Sequence, residues 1–139
     1  MNDTRVEGWP DLAGIPEKDV AVWDLAAEPW SVPWVRGQVR KQLSEWGLPE
    51  LAETVELLVS ELVTNALVHG AGLIWLRLIR GSALLCEVGD DGRELPYVCV
   101  AADTDESGRG LQLVNVLAAA WGGYRTSIGK VVWFEHPLG

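Results

Sequence analysis

The spacing of hydrophobic residues along the chain predicts a domain that mixes strands and helices. Alternation of apolar and polar residues predicts a first strand in "VAVWDL" (20–25), and three further segments are β-like: "LIWLRLI" (73–79), "SALLCEV" (82–88) and the hairpin "YRTSIGKVVWFEH" (124–136). Helical spacing predicts three helices: "VRGQVRKQLSEW" (35–46), "PELAETVELLVSELVTNALVH" (49–69) and "GLQLVNVLAAAW" (110–121). The order of these elements predicts an α+β or α/β sandwich with helices on one face of a sheet.

The chain length and the distribution of elements predict one domain. Its 139 residues suffice for one hydrophobic core and are too few for two. The elements begin at residue 20, so we expect a loose segment over 1–19 and a single domain over 20–139. The stretch 91–107 has no clear periodicity, and long irregular loops in small domains are often functional.

The second predicted helix carries two polar residues, Glu61 and Asn65, on one of its faces. A helical projection of residues 50–70 separates two stripes. The solvent stripe contains Glu53, Glu56, Ser60 and Thr64, and the core stripe contains Val55, Leu58, Val59, Leu62, Val63 and Ala66. Glu61 and Asn65 lie between these stripes and are bordered by Leu57 and Val68, which indicates the wall of a cleft.

Two interpretations of this pair remain open. Glu61 and Asn65 could be a boundary pair that water or backbone groups satisfy, and such pairs are common. Alternatively, Glu61 accepts a proton from a nucleophile, because a partly desolvated carboxylate can act as a general base. Asn65 would then bind Mg²⁺ through its carboxamide oxygen, a hard ligand that suits this ion.

The segment "CEVGDDG" (86–92) reads as an apolar strand that ends in Asp90-x-Gly92. The simpler interpretation is a turn, since Asp-Gly is a frequent turn signal. In the functional interpretation, Asp90 accepts a hydrogen bond from an exocyclic amine. Gly92 would then allow a flat ring to approach the backbone.

The segment "ESGRGLQLV" (106–114) places Gly108 and Gly110 at the start of a predicted helix. Free N–H groups and the positive end of the helix dipole favour an anion there, and Arg109 adds a cation. A glycine-rich helix start is also a common structural device. A P-loop is excluded, because Gly129–Lys130 is followed by Val131 and has no glycine five residues before it.

Charge and cysteine content narrow the classes of partner. The net charge is −9, and a nucleic-acid-binding protein normally carries a basic face, so direct nucleic-acid binding is not expected. No apolar run reaches the ~20 residues of a membrane span, and the N-terminus lacks a signal-peptide pattern, so we expect a cytoplasmic protein. Cys86 and Cys99 lack metal-ligand spacing and are expected to be free thiols, one of them buried in a strand.

Taken in order, Glu61-x-x-x-Asn65, Asp90-x-Gly92, Gly108-x-Gly110-Leu111 and a hairpin at Gly129–Lys130 resemble the motifs of the GHKL ATPase superfamily. The resemblance is strongest to the bacterial anti-sigma-factor serine kinases with a histidine-kinase-like ATP-binding domain, and it extends from about residue 20 over nearly the whole chain. It implies a Bergerat-type two-layer α+β sandwich, with helices on one face of a mixed, mostly antiparallel sheet.

The resemblance also implies a site for ATP and Mg²⁺. Glu61 would be the general base, Asn65 the Mg²⁺ ligand and Asp90 the residue that reads adenine, with Gly92 giving the ring room. The phosphates would be held by a further group of residues, under a lid formed by about residues 93–107. That group comprises Gly108, Arg109, Gly110 and Leu111.

The function implied is phosphorylation of a Ser or Thr on a small anti-sigma-factor antagonist, coupled to binding of a sigma factor. A homodimer through the first strand and Trp23 is compatible with the resemblance. The chain departs from the family at Glu94, where a second glycine is frequent, and at Val131, where a Thr often helps to hold adenine. These departures favour an alternative, a non-catalytic nucleotide-sensing module. A histidine-kinase ATP-binding domain is a third hypothesis, weakened by the sequence context of His69 and His136.

Overall fold

The computed structural model describes residues 14–92 and 114–139. Its regular elements are five strands, two long helices and shorter helical turns. The strands are β1 Val20–Leu25, β2 Ile74–Arg80, β3 Leu84–Asp90, β4 Ala120–Arg125 and β5 Lys130–His136, and the helices are α1 Ser31–Glu45 and α2 Ala52–His69. Short 3₁₀ turns cover Glu17–Asp19 and Pro49–Leu51, and one helical turn covers 114–117.

The five strands form one sheet in the order β1-β2-β3-β5-β4, and every pairing among these strands is antiparallel. The two long helices pack on one face of this sheet, which confirms the predicted α+β sandwich. Strand β3 lies at the centre and is buried along its whole length. Its last residue, Asp90, therefore lies where the buried central strand ends.

The main core lies between the sheet and the two helices. Its fully buried side chains include Val39 of α1, Leu58 of α2, Leu76 of β2 and Phe134 of β5. Cys86 of β3 belongs to the same core and is a free thiol, as expected, and burial raises its pKa well above the ordinary value. Cys99 lies outside the described residues.

The opposite face of the sheet carries a second apolar cluster with a buried ion pair in it. The cluster comprises Ile79, Leu85, Tyr124, Val131 and Trp133. Arg77 of β2 pairs with Glu87 of β3, and the two residues face each other in the strand register. Glu87 is 0% exposed, and the Tyr124 hydroxyl lies 3.4 Å from its second oxygen.

The prediction of a helix through Trp121 is wrong at its C-terminal end. The described helical turn stops at residue 117, and strand β4 begins at Ala120. Ala120 and Trp121 pair with Glu135 and Phe134 of β5. Because β4 extends the sheet, its hydrogen bonds with β5 override the helical spacing of the apolar residues.

The assignment of Glu56 to the solvent stripe is also wrong. Glu56 is 4% exposed, and its two carboxylate oxygens accept hydrogen bonds of 2.7 and 2.9 Å from the Arg40 guanidinium. This bidentate contact joins α1 to α2 and compensates the buried charge.

No helix in the described part of the chain is long and apolar enough to cross a membrane.

Candidate functional site

Asp90 ends β3 with its carboxylate held in one orientation. Its Oδ1 atom accepts hydrogen bonds from the backbone N–H of Gly92 at 2.6 Å, from Lys130 Nζ at 3.0 Å and from the backbone N–H of Ala71 at 3.4 Å. Within residues 14–92 and 114–139, no group donates to Oδ2. Among the described residues, the carboxylate is therefore held through Oδ1 and accepts no hydrogen bond at Oδ2.

Two glycines allow the backbone to come close to this carboxylate. A Cβ at Gly92 would lie 2.9 Å from Asp90 Oδ1 and 3.1 Å from Lys130 Nζ. A Cβ at Gly70 would overlap the Ala66 carbonyl oxygen and lie 2.6 Å from Asp90 Cγ. The C-terminal end of α2 thus packs directly against Asp90, and this contact needs a residue without a side chain.

Lys130 belongs to the Gly129–Lys130 hairpin among the sequence motifs, which assigned no role to its side chain. It pairs with Asp90 in the β3–β5 register, so both side chains point to the helix-bearing face of the sheet. Val131, which the motif comparison placed beside adenine, belongs instead to the cluster on the opposite face. Side chains alternate between the two faces along β5, so Lys130, Val132 and Phe134 lie on the helix-bearing face and Val131 lies on the other. This alternation is the sequence signal that could have assigned Lys130 to the site.

Asn65 and Glu61 lie one turn apart on α2 and differ in their surroundings. Asn65 is 6% exposed, and its carboxamide has no hydrogen-bond partner in the part of the chain that the structure describes. Buried polar groups are normally hydrogen-bonded, so an unpaired carboxamide here fits a residue that binds a metal ion or its water. Glu61 is half-buried, and desolvation raises its pKa.

The carboxamide oxygen of Asn65 is a hard ligand that suits Mg²⁺. The described residues contain no cluster of three or more His, Cys, Asp or Glu side chains that could enclose a metal ion. Mg²⁺ keeps several waters and substrate phosphates as ligands and needs only one or two protein oxygens. Asn65 can supply such an oxygen.

The remaining predicted site residues cannot be placed. Gly108, Arg109, Gly110 and Leu111 lie outside the described residues, and so does the lid predicted over about 93–107. Their roles stay predictions from the sequence. The structure brings together the end of β3, the start of β5 and the last turn of α2.

The fold and these residues define a nucleotide-binding ATPase domain. The chain belongs to the family of histidine kinase-like ATPase domains, whose profile matches residues 25–135. It is accordingly an ATP-binding domain of the GHKL class, a class whose members typically bind ATP with Mg²⁺. This match confirms the resemblance to the GHKL superfamily that the sequence motifs indicated. The family also includes anti-sigma-factor kinases.

Two similar proteins come from one bacterial species. Over 98 residues, 64% of this chain, it is 36% identical to blue-light-activated histidine kinase 2 of Erythrobacter litoralis (strain HTCC2594). It also matches the histidine kinase domain of a blue-light-activated histidine kinase from Erythrobacter litoralis EL346, with a TM-score of 0.50, 26% identity and 78% of this chain covered. The match spans 28% of the first protein and 60% of the second chain. The structural match confirms the Bergerat-type arrangement.

Proposed function

We propose that this domain binds Mg²⁺-ATP and phosphorylates a serine or threonine on a small anti-sigma-factor antagonist. The observation that carries the proposal is the presence, one turn apart on α2, of the half-buried carboxylate of Glu61 and the buried carboxamide of Asn65, which has no hydrogen-bond partner among the described residues. Two further observations support nucleotide binding: the orientation of Asp90 beside Gly92, and the membership of the chain in the ATPase family.

In the proposed reaction, the substrate hydroxyl oxygen forms a bond to the γ-phosphorus of ATP. The bond from that phosphorus to the bridging oxygen breaks, ADP leaves, and Glu61 accepts the hydroxyl proton. The raised pKa of Glu61 suits this role, because it makes the carboxylate a stronger base. Asn65 would hold Mg²⁺, which supplies charge neutralisation on the phosphates when bound.

A test begins with calorimetry of ATP binding, with Mg²⁺ and with EDTA. Labelled ATP is then incubated with the domain and an antagonist protein encoded beside it. A phosphorylated antagonist with the native domain, and none with E61Q at equal ATP occupancy, supports the kinase. ATP binding without any phosphoprotein supports the non-catalytic sensing module, and no binding at millimolar ATP contradicts both.

The relative described above favours a second candidate, the ATP-binding domain of a histidine kinase. That relative is a histidine kinase, and the match covers 28% of its length. In that reaction a neutral imidazole nitrogen attacks the γ-phosphorus, so no hydroxyl proton has to be removed. Acid treatment separates the two candidates, because phosphohistidine is hydrolysed in acid and phosphoserine is stable.

Partners are proposed to be proteins, namely the antagonist and a sigma factor. A homodimer would use strand β1, which is an edge of the sheet that the described strands form. Trp23 packs against the core, whereas Val22 on the other side of β1 is exposed. We therefore expect V22D, and not a change at Trp23, to alter the sedimentation of a dimer without unfolding the domain.

A further inference from the structure

The start of helix α1 carries two tryptophans that solvent reaches. Trp30 is 59% exposed and Trp34 is 43% exposed, and the backbone N–H of Trp34 donates to the Trp30 carbonyl oxygen at 3.3 Å. Residues four positions apart lie on one side of a helix, so the two indole rings are neighbours on the protein surface. Tryptophan is one of the residue types that contribute most to the affinity of protein interfaces.

Three cations follow these tryptophans on the exposed side of α1. Arg36, Arg40 and Lys41 are all exposed. Residues 29–44 contain these three cations and no Asp or Glu, and Glu28 and Glu45 lie at the two ends of this stretch. The chain as a whole has a net charge of −9. The middle of α1 therefore presents positive charge on a protein that is otherwise acidic.

Arg40 is held in one orientation while most of its side chain stays in solvent. Its Nε and one Nη donate to the buried Glu56 carboxylate at 2.7 and 2.9 Å, and its side chain is 68% exposed. Arg36 Nε lies 3.9 Å from the same carboxylate, so two cations share one buried anion. A side chain that is already ordered loses less conformational freedom when it binds a partner. Arg40 is thus a preorganised donor, with N–H groups left for a second carboxylate.

Gly37 leaves the centre of this surface open. It is exposed and lies three residues after Trp34 and three residues before Arg40, so it separates the indole ring from the guanidinium group on one side of the helix. A Cβ added at Gly37 would meet no heavy atom within 4 Å. A bulky side chain of a partner therefore has room between the aromatic and the basic residues.

We propose that this side of α1 is a docking site for an acidic segment of a partner protein that carries a bulky apolar side chain. The apolar side chain packs on the two indole rings above Gly37, and the carboxylates of the segment pair with the three cations. We call this set of residues the α1 surface; it comprises Trp30, Trp34, Arg36, Gly37, Arg40 and Lys41.

The α1 surface is separate from the candidate nucleotide site. Glu56, which contacts α1, and Glu61 are five residues apart on α2, so their side chains point about 140° apart. A partner bound at the α1 surface is therefore anchored without entering the site of Glu61 and Asn65. The inference does not depend on phosphotransfer, and it adds the chemistry of a partner segment to the domain.

A protein segment fits this surface better than a membrane does. Recognition of an anionic membrane typically uses clusters of about 4–8 Lys and Arg residues, whereas the α1 surface has three cations, and Glu56 compensates one of their charges. The net charge of −9 also opposes approach to an extended anionic surface. A short acidic segment meets mainly the local field, because salt screens the charges farther away.

The test selects short peptides from a random display library on the native domain and measures the enriched peptides by calorimetry. We expect acidic peptides that contain Trp, Phe or Leu, and binding that weakens severalfold between about 50 and 500 mM NaCl. W34S should raise their dissociation constants by about tenfold or more. I128S removes an exposed apolar side chain between β4 and β5 and is the matched control, which should leave them unchanged.

Substitutions at Gly37 separate the effect of charge from that of folding. A side chain there has open space, and both Glu and Lys have a higher helix propensity than Gly, so G37E and G37K should be folded. G37E should raise the dissociation constants of the peptides by about tenfold, and G37K should leave them unchanged or lower them. Thermal unfolding checks the fold of each variant, and calorimetry should give the same ATP affinity for all of them.

Several outcomes would overturn the inference. They are the absence of enriched peptides, the enrichment of basic or uncharged peptides, unchanged binding in W34S, and equal losses in G37E and G37K. Two other occupants are tested with the same variant. Co-sedimentation of the native domain with phosphatidylglycerol vesicles, or a dimer in sedimentation equilibrium, would overturn the inference if W34S abolishes it, and would assign the surface to a membrane or to a second copy of the chain.

Discussion

Asn65 follows Glu61 by one turn of α2, yet the two side chains meet different surroundings. The carboxamide of Asn65 is buried and unpaired among the described residues, whereas the carboxylate of Glu61 is half-buried. Residues four positions apart on a helix lie on one face, so the same ligand can contact both. Their difference in environment gives each residue a separate role that can be tested.

Replacement of Asn65 by Ala should weaken the binding of Mg²⁺-ATP and leave binding in EDTA nearly unchanged. The loss should be about tenfold or more, because one ligand bond to a charged group contributes roughly 1.5–3 kcal/mol. Calorimetry with and without Mg²⁺ measures both constants. An equal loss in EDTA would show that Asn65 serves the fold of the pocket and does not bind the metal.

Replacement of Glu61 by Gln should leave ATP affinity intact and reduce phosphotransfer. A general base contributes only while a proton moves, and its loss typically lowers the rate by roughly 10²–10⁴-fold. Phosphoprotein formation at saturating ATP measures the rate, and calorimetry checks the affinity. If E61Q and N65A lose ATP affinity equally, the base assignment is wrong.

The raised pKa of Glu61 also predicts how stability depends on pH. Burial opposes ionisation, so the folded state favours the protonated carboxyl more than the unfolded state does. The stabilising contribution is full below the ordinary glutamate pKa of 4.5 and is lost as pH rises through the raised pKa. E61Q should therefore gain thermal stability over the native domain at pH 7, and the difference should vanish near pH 4. Thermal unfolding across this range measures the difference, and a constant offset would contradict the shift.

The ion pair between Arg77 and Glu87 should be sensitive to removal of one partner. R77M leaves the fully buried Glu87 carboxylate without its cation, so we expect a loss of roughly 3–5 kcal/mol in the free energy of unfolding. R77M/E87L removes both charges and should recover most of this loss. Urea unfolding measures all variants, and a double variant no more stable than R77M would contradict the explanation.

Local patterns predict most of the fold, because the two long helices have helical spacing and most strands lie in short apolar or alternating segments. The end of the third predicted helix is the exception. Ala120 and Trp121 continue a helical spacing, yet they pair with β5. That pairing depends on strands brought together in space, which the local spacing of apolar residues does not report.

The site is predictable where its residues are neighbours in sequence and is missed where they are distant. Glu61 and Asn65 share a helix face, which periodicity reveals. The contact of Lys130 with Asp90 spans 40 residues, and that of Arg40 with Glu56 spans 16. Each depends on the register or packing of two elements, which the sequence of one element does not specify.

A series of alanine substitutions at three glycines should separate binding from folding. Gly37 is exposed in α1, and a Cβ added there would have no atom within 4 Å, so G37A should stabilise the domain by about 0.5–1 kcal/mol. At Gly129 an added methyl would overlap the backbone of Asp90 and Asp91, so G129A should destabilise it by roughly 1–3 kcal/mol. At Gly92 the methyl would meet Asp90 Oδ1 at 2.9 Å, Lys130 Nζ at 3.1 Å and the Gly70 Cα at 3.2 Å, so the Asp90 carboxylate would have to shift. G92A should therefore weaken ATP binding by about tenfold or more, because it displaces the carboxylate that is proposed to bind the base. Urea unfolding and calorimetry on the same preparations measure both effects, and unchanged ATP affinity in G92A would place the base elsewhere.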